Sequence, residues 1–222
     1  MNSTIERLAP GLTGVAAGTA ALAALYLTVL RRPCLTWGAT DEEVAAAMPG
    51  DELLPDAGIV ATRAVTVDAP PAAIWPWLVQ LGPGRGGAYT YDWIENLFGL
   101  DMHSADTVLP QFQELAAGDT IALGSGPTMR AMVVEPERHL VFAADDRSWI
   151  WAFGLSPFGS GTRLVSRNRI AAATSAPGRL LTTLVMEPGS LLMERKMLLG
   201  IKARAERTPA VDQPTTAVAT TR

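Results

Sequence analysis

The chain has one cysteine, Cys34, and two histidines, His103 and His139, among 222 residues. A lone thiol cannot close an intramolecular disulfide, and so few Cys and His leave no cluster for structural zinc. Cys34 is also distant in sequence from either histidine, which argues against a thiol nucleophile paired with an imidazole base. Charge is scarce as well, at 18% of residues with a formal net charge of −4. That balance offers no basic footprint for nucleic acid. The nucleophile elbow Gly-x-Ser-x-Gly, the zinc motif His-Glu-x-x-His and the dinucleotide-binding glycine fingerprint are all missing. No cofactor or metal is therefore expected.

Apolar residues are plentiful. At 48% hydrophobic content the chain can bury a core, and its length suits one domain with appendages. Residues 8–30 form an uncharged run that, as a helix, would extend roughly 35 Å, enough for a bilayer core of about 30 Å. Seven alanines and three glycines make it a mild span. Arg31 and Arg32 end it, and this basic excess favours a cytoplasmic main domain on a single-pass anchor in the cell membrane. Within the run, Gly14 and Gly18 have the small-xxx-small spacing that allows close helix pairing, a weak homodimer contact. The chain then divides into an N-terminal flank (1–7), the transmembrane helix (8–30), a juxtamembrane lead-in (31–58), a main domain (59–207) and a disordered tail (208–222). In the lead-in, Thr40 or Asp41 is placed to cap a short helix through Met48, and Trp37 is expected at the headgroup level.

The main domain opens with an alternating strand, Ala61 to Val67, with Arg63, Val65 and Val67 on one face. Asp68-Ala-Pro-Pro stops it, and Ile74, Trp77, Leu78 and Leu81 follow at helical spacing. A glycine-rich loop, Gly82-Pro-Gly-Arg-Gly-Gly87, comes next. It lacks the Gly-Lys-Ser/Thr ending of a phosphate loop and reads as turns between helices, with Arg85 able to greet an anion at an entrance. Tyr89, Tyr91 and Trp93 then begin a second helix. Turn residues at regular intervals separate strand-like runs at Thr120 to Leu123, Met129 to Val134, Leu140 to Ala144, Ser148 to Leu155 and Thr162 to Ile170, an antiparallel meander. The C-terminal segment splits at Glu187-Pro188-Gly189, with Ser190 capping a helix to about Glu206.

The strand running through Ala-Pro-Pro into a Trp-bearing helix, with Tyr-Thr-Tyr-Asp-Trp-Ile-Glu-Asn-Leu after it and Met-Glu-Arg-Lys-Met-Leu-Leu-Gly-Ile-Lys-Ala-Arg-Ala-Glu at 193 to 206, resembles the START-like, helix-grip superfamily of polyketide cyclase/dehydrase and lipid-transfer (SRPBCC) proteins. The resemblance covers about residues 35 to 207 and is to an actinobacterial-type branch with an N-terminal transmembrane helix. It implies an α+β fold, a curved antiparallel sheet around a long C-terminal helix with an apolar cavity between them. The function it implies is a membrane-tethered domain binding a hydrophobic small molecule or lipid. A cyclase/dehydrase-like enzyme and a non-catalytic interaction module remain alternatives.

Candidate ligand contacts follow from chemistry and alternation. Trp77, Tyr89, Tyr91 and Trp93 offer broad faces with one donor each, and serve equally as core. Trp149 and Trp151 share a face of their strand. Ser166 and Asn168 oppose an arginine-rich face (Arg163, Arg167, Arg169), expected to be the solvated outside. These two polar residues either hold a ligand's polar end or bond protein partners. Met193 and Met197 recur on one helical face, either lining a cavity or filling core gaps. His103 and Asp106, with Asp101, are the weak catalytic candidates, an acid–base or ligand set near the cavity mouth or simply turn caps. Arg130 would join an enzymatic site only if it converged with them.

Overall fold

A computed structural model describes residues 18, 20–97, 99–123 and 128–207. Gly14, residues 8–17 of the expected span, Phe98, the Gly124 to Pro127 turn and the tail lie outside the described residues. Among the described residues no helix is long and apolar enough to cross a membrane. Residues 20–25 are helical and lead through a π-turn at Tyr26–Leu30 into α1 (Arg31–Leu35). Leu22, Leu27 and Val29 on this segment are exposed, and nothing lies within 4 Å of where a Gly18 Cβ would be.

The architecture is α+β. One antiparallel sheet runs β1 (Ile59–Val67), β6 (Gly161–Ile170), β5 (Trp149–Phe158), β4 (His139–Ala144), β3 (Thr128–Glu135) and β2 (Thr120–Ala122) from edge to edge. Strands β2 to β6 are a meander, and β1 closes onto β6 in register from Ile59 opposite Ile170 to Val67 opposite Thr162. The link between the two edge strands carries α3 (Pro71–Val79) and α4 (Asp92–Leu97), after α2 (Asp41–Ala45) in the lead-in. Pro71 occupies the first turn of α3, where its missing N–H costs nothing.

The C-terminal helices are α5 (Ala176–Leu181) and α6 (Glu187–Arg207), joined by a π-turn at Thr182–Met186. The expected break at Glu187-Pro188-Gly189 does not occur. A proline inside a helix removes one ladder hydrogen bond, and the wider π-turn directly before it absorbs that defect. Ser190 therefore caps nothing. Its hydroxyl donates back to the Glu187 carbonyl at 2.8 Å.

On the concave face, α6 buries Met197, Leu198, Ile201 and Ala205 against α3 and the sheet. Each large side chain contributes about 1.5–3 kcal/mol. Gly200 is required for this approach, since a Cβ there would come within 2.6 Å of the Tyr89 carbonyl oxygen.

The convex face corrects the expectation of a solvated arginine stripe. The lead-in folds over it and packs Met48, Leu53 and Leu54 on Val141, Ala143, Ile150 and Ala152. Arg167, only 3% exposed, donates to the Ala46, Glu43 and Val44 carbonyls, to Thr62 and to Asp51. Arg169 reaches the Leu54 and Pro55 carbonyls, and Arg163 binds Glu43 and the Gly38 carbonyl. These arginines clamp lead-in carbonyls, including those at the C-terminal end of α2 that have no helical partner. Trp37 likewise packs against the domain core, with Arg195 over its ring. Thr40 and Glu43 make the reciprocal cap of α2, which ends at Ala45 rather than Met48.

Arg167→Ala removes five hydrogen bonds and leaves the Glu43, Val44 and Ala46 carbonyls without this donor, while Asp51 keeps Arg169 and the Met48 N–H, so urea unfolding should show a loss of roughly 3 kcal/mol. Arg163 holds the Glu43 carboxyl below its ordinary value of 4.5. The stabilisation is thus present above that value and is lost as pH falls through the depressed folded value. Melting temperatures of wild type and Glu43→Gln should differ at pH 7 and converge only once the pH has fallen through that depressed value.

Candidate functional site

A cavity of about 490 Å³ lies between the sheet and α6. The sheet supplies Ile59 and Ala61 from β1, Trp149 and Trp151 from β5, and Asn168 and Ile170 from β6. These are alternate residues, so each strand turns one face inward. The helical wall contributes Met186 from the π-turn and Met193, Glu194 and Met197 from α6. The loop before α4 adds Ala88 and Thr90, and α4 adds Glu95. The volume falls within the range of small-molecule sites.

One wall is an organised polar network. Arg63, fully buried, pairs with Glu194 and also donates to the Cys34 carbonyl at 3.1 Å and the Ser190 hydroxyl at 3.0 Å. Glu194 Oε1 accepts from Ser166 Oγ at 2.5 Å and Asn168 Nδ2 at 2.9 Å. The two tryptophans are tied to the same residues, Trp151 Nε1 donating to Ser166 Oγ at 3.1 Å and Trp149 Nε1 to Asn168 Oδ1 at 2.7 Å. Their rings stack at 5.7 Å with 21° between planes. Burial pushes the Glu194 carboxyl up, while Arg63, Ser166 and Asn168 draw it back.

A second carboxylate, Glu187, is held by Arg31 at 2.8 Å and by Tyr26 at 2.9 Å. Cys34 Sγ lies 3.4 Å from the Glu187 carbonyl oxygen. These contacts dock the N-terminal helical segment beside the cavity wall. The third carboxylate differs. Glu95 is 9% exposed, yet its Oε2 has no hydrogen-bond partner, and neither has the buried Thr90 Oγ1. Burial raises the Glu95 carboxyl above its ordinary range, the Thr90 hydroxyl opposes the shift and Asp92 adds to it.

The expected contacts separate into three groups. Trp149, Trp151, Asn168, Met193 and Met197 line the cavity, and Ser166 stands just behind it in the network. Trp77 and Tyr89 belong to the core, where Tyr89 donates to the Trp77 carbonyl at 3.0 Å and lies under Arg204. Tyr89 also has a left-handed backbone (φ 57°), so its ring turns into the core while its neighbours Ala88 and Thr90 line the cavity. Tyr91 sits beneath Lys196, and Trp93 is 67% exposed on α4. Neither lines the cavity.

The catalytic candidates do not converge. His103 and Asp106 have exposed side chains, His103 being 3.6 Å from Asp101 while Asp106 binds Arg204. Arg130 pairs with Asp145 outside the cavity. Arg85 guards no entrance either, because it donates to the Val79 and Phe112 carbonyls and stacks on the Phe112 ring. Among the described residues no group of Cys, His, Asp and Glu could hold a metal ion.

No protein-family model and no curated protein matches the chain. Solved structures do align with it. Protein MLL2253 from Mesorhizobium loti is 17% identical, with a TM-score of 0.40, covering 68% of this chain and 98% of that one. KanY in solution is 17% identical at a TM-score of 0.44 (67% and 97%). CV1439 from Chromobacterium violaceum is 14% identical at 0.44 (68% and 99%).

Sequence reasoning missed Arg63, Glu194, Glu187, Thr90 and Glu95. A signal existed for two of them. Arg63 shares its strand face with Val65 and Val67, and Glu194 lies between Met193 and Met197 on the inward helical face. Glu194→Ala leaves Arg63 buried without a counter-charge and should cost about 3–5 kcal/mol in urea unfolding, whereas Arg63→Met combined with Glu194→Leu should recover most of it.

Proposed function

We propose that this protein is a membrane-tethered member of the helix-grip, START-like group that binds a hydrophobic small molecule or lipid between its sheet and C-terminal helix. The observation that carries the reading is the cavity itself, about 490 Å³ of space walled by Trp149, Trp151, Met186, Met193 and Met197. Methionines and stacked indoles accommodate irregular apolar shapes. The polar wall is satisfied internally by Arg63, Ser166 and Asn168, so it fixes the cavity's shape without demanding a ligand. The uncharged run at 8–30 is the proposed anchor, with the domain on the cytoplasmic side. Exposed Leu180, Leu181 and Val185, beside cavity-lining Thr182 and Met186, would face apolar surroundings near such an anchor.

Two measurements test this. Native mass spectrometry of the detergent-extracted full chain should reveal a co-purifying small molecule. Calorimetry should show saturable binding of a neutral apolar probe, 2-naphthylmethanol, reduced at least tenfold by Ala61→Trp or Met193→Trp, which intrude on the space. Equal binding by wild type and both variants would overturn the reading. The full chain should also stay with membranes through an alkaline carbonate wash, and its release would remove the tether.

A further inference from the structure

The cavity's charge is one-sided. Its lining includes Glu95, Glu187 and Glu194 and no Lys, Arg or His. Two of the three carboxylates already have cations behind the wall, Glu187 with Arg31 and Glu194 with Arg63. Glu95, 9% exposed, alone has no cation beside it: its Oε2 lacks a close hydrogen-bond partner, and the Thr90 hydroxyl is the one polar group that favours its ionised form. Among the described residues no Lys, Arg or His forms an ion pair with Glu95. Lys196 sits over Tyr91 at 5.7 Å, and Arg85 is tied to backbone carbonyls.

Resting on the apolar-ligand reading above, we infer that this cavity selects apolar molecules carrying a protonated amine, which docks on Glu95 Oε2 while the apolar body packs on Trp149, Trp151 and the methionines. A buried acceptor without a partner is costly, and a charged donor offsets that cost more fully than a neutral one. An ammonium both donates to Glu95 and neutralises it. A hydroxyl of the same size only donates. A ligand carboxylate or phosphate finds no counter-cation in the lining and meets a like charge, which is unfavourable in a poorly hydrated space. Burial raises the Glu95 carboxyl, so an ionised Glu95 is under a penalty that a bound cation relieves.

Three isosteric probes separate this inference from the broader reading: 2-naphthylmethylamine, 2-naphthylmethanol and 2-naphthoate, titrated by calorimetry at pH 7 into the full chain in nanodiscs. The amine should bind severalfold tighter than the alcohol and at least tenfold tighter than the carboxylate. Glu95→Gln should bring amine and alcohol to near-equal affinity. Ala171→Lys, which adds an ammonium to the lining, should reverse the order toward the carboxylate and serves if Glu95→Gln fails to fold. Equal binding of carboxylate and amine, or an amine preference that survives both variants, would overturn the selectivity while saturable alcohol binding upheld the apolar site. Failure of all three probes to bind would remove both.

Discussion

The buried pair between Arg63 and Glu194 joins the two halves of the domain. Arg63 projects inward from β1, and Glu194 reaches it from α6. Through Ser166 and Asn168 the same carboxylate fixes the donors of Trp151 and Trp149. An ion pair of this kind adds little net stability over an apolar replacement, because desolvating both charges costs about what their attraction returns. What it supplies is position. The network ties α6 to β1 and β6 and fixes the donors of both indoles along the cavity wall.

The opposite face solves a different problem. A lead-in with little regular structure exposes carbonyls that need donors. Arg163, Arg167 and Arg169 meet that need, each fork reaching two or more groups that a lysine would serve less well. The sheet is thereby covered on both sides, by α6 and α3 within and by residues 36–55 without. Glu187 extends the same logic to the N-terminal helical segment, whose Arg31 and Tyr26 converge on one buried carboxylate beside the cavity.

Much of the secondary structure was legible. All six strands lie within a few residues of the runs read from alternation and turn residues, and α3 begins at the proline pair as expected. That Trp149, Trp151 and Phe153 share one face of β5 followed from period two alone. The break at Pro188 was misread because proline signals a helix end locally, while a π-turn one step earlier can absorb the missing hydrogen bond. The arginine face was misread for a related reason. Alternation tells which residues share a face and says nothing about whether another segment covers it.

Sequence by itself determined the α+β element order, the shared face of Trp149 and Trp151 and the methionine face of the closing helix, since each rests on patterns within single segments. Tertiary structure alone decided which polar residues matter. Arg63 and Glu194 are 131 positions apart, and the isolation of Glu95 is defined by what fails to reach it. Pairing and absence of pairing depend on distances between segments, and local patterns do not carry that information.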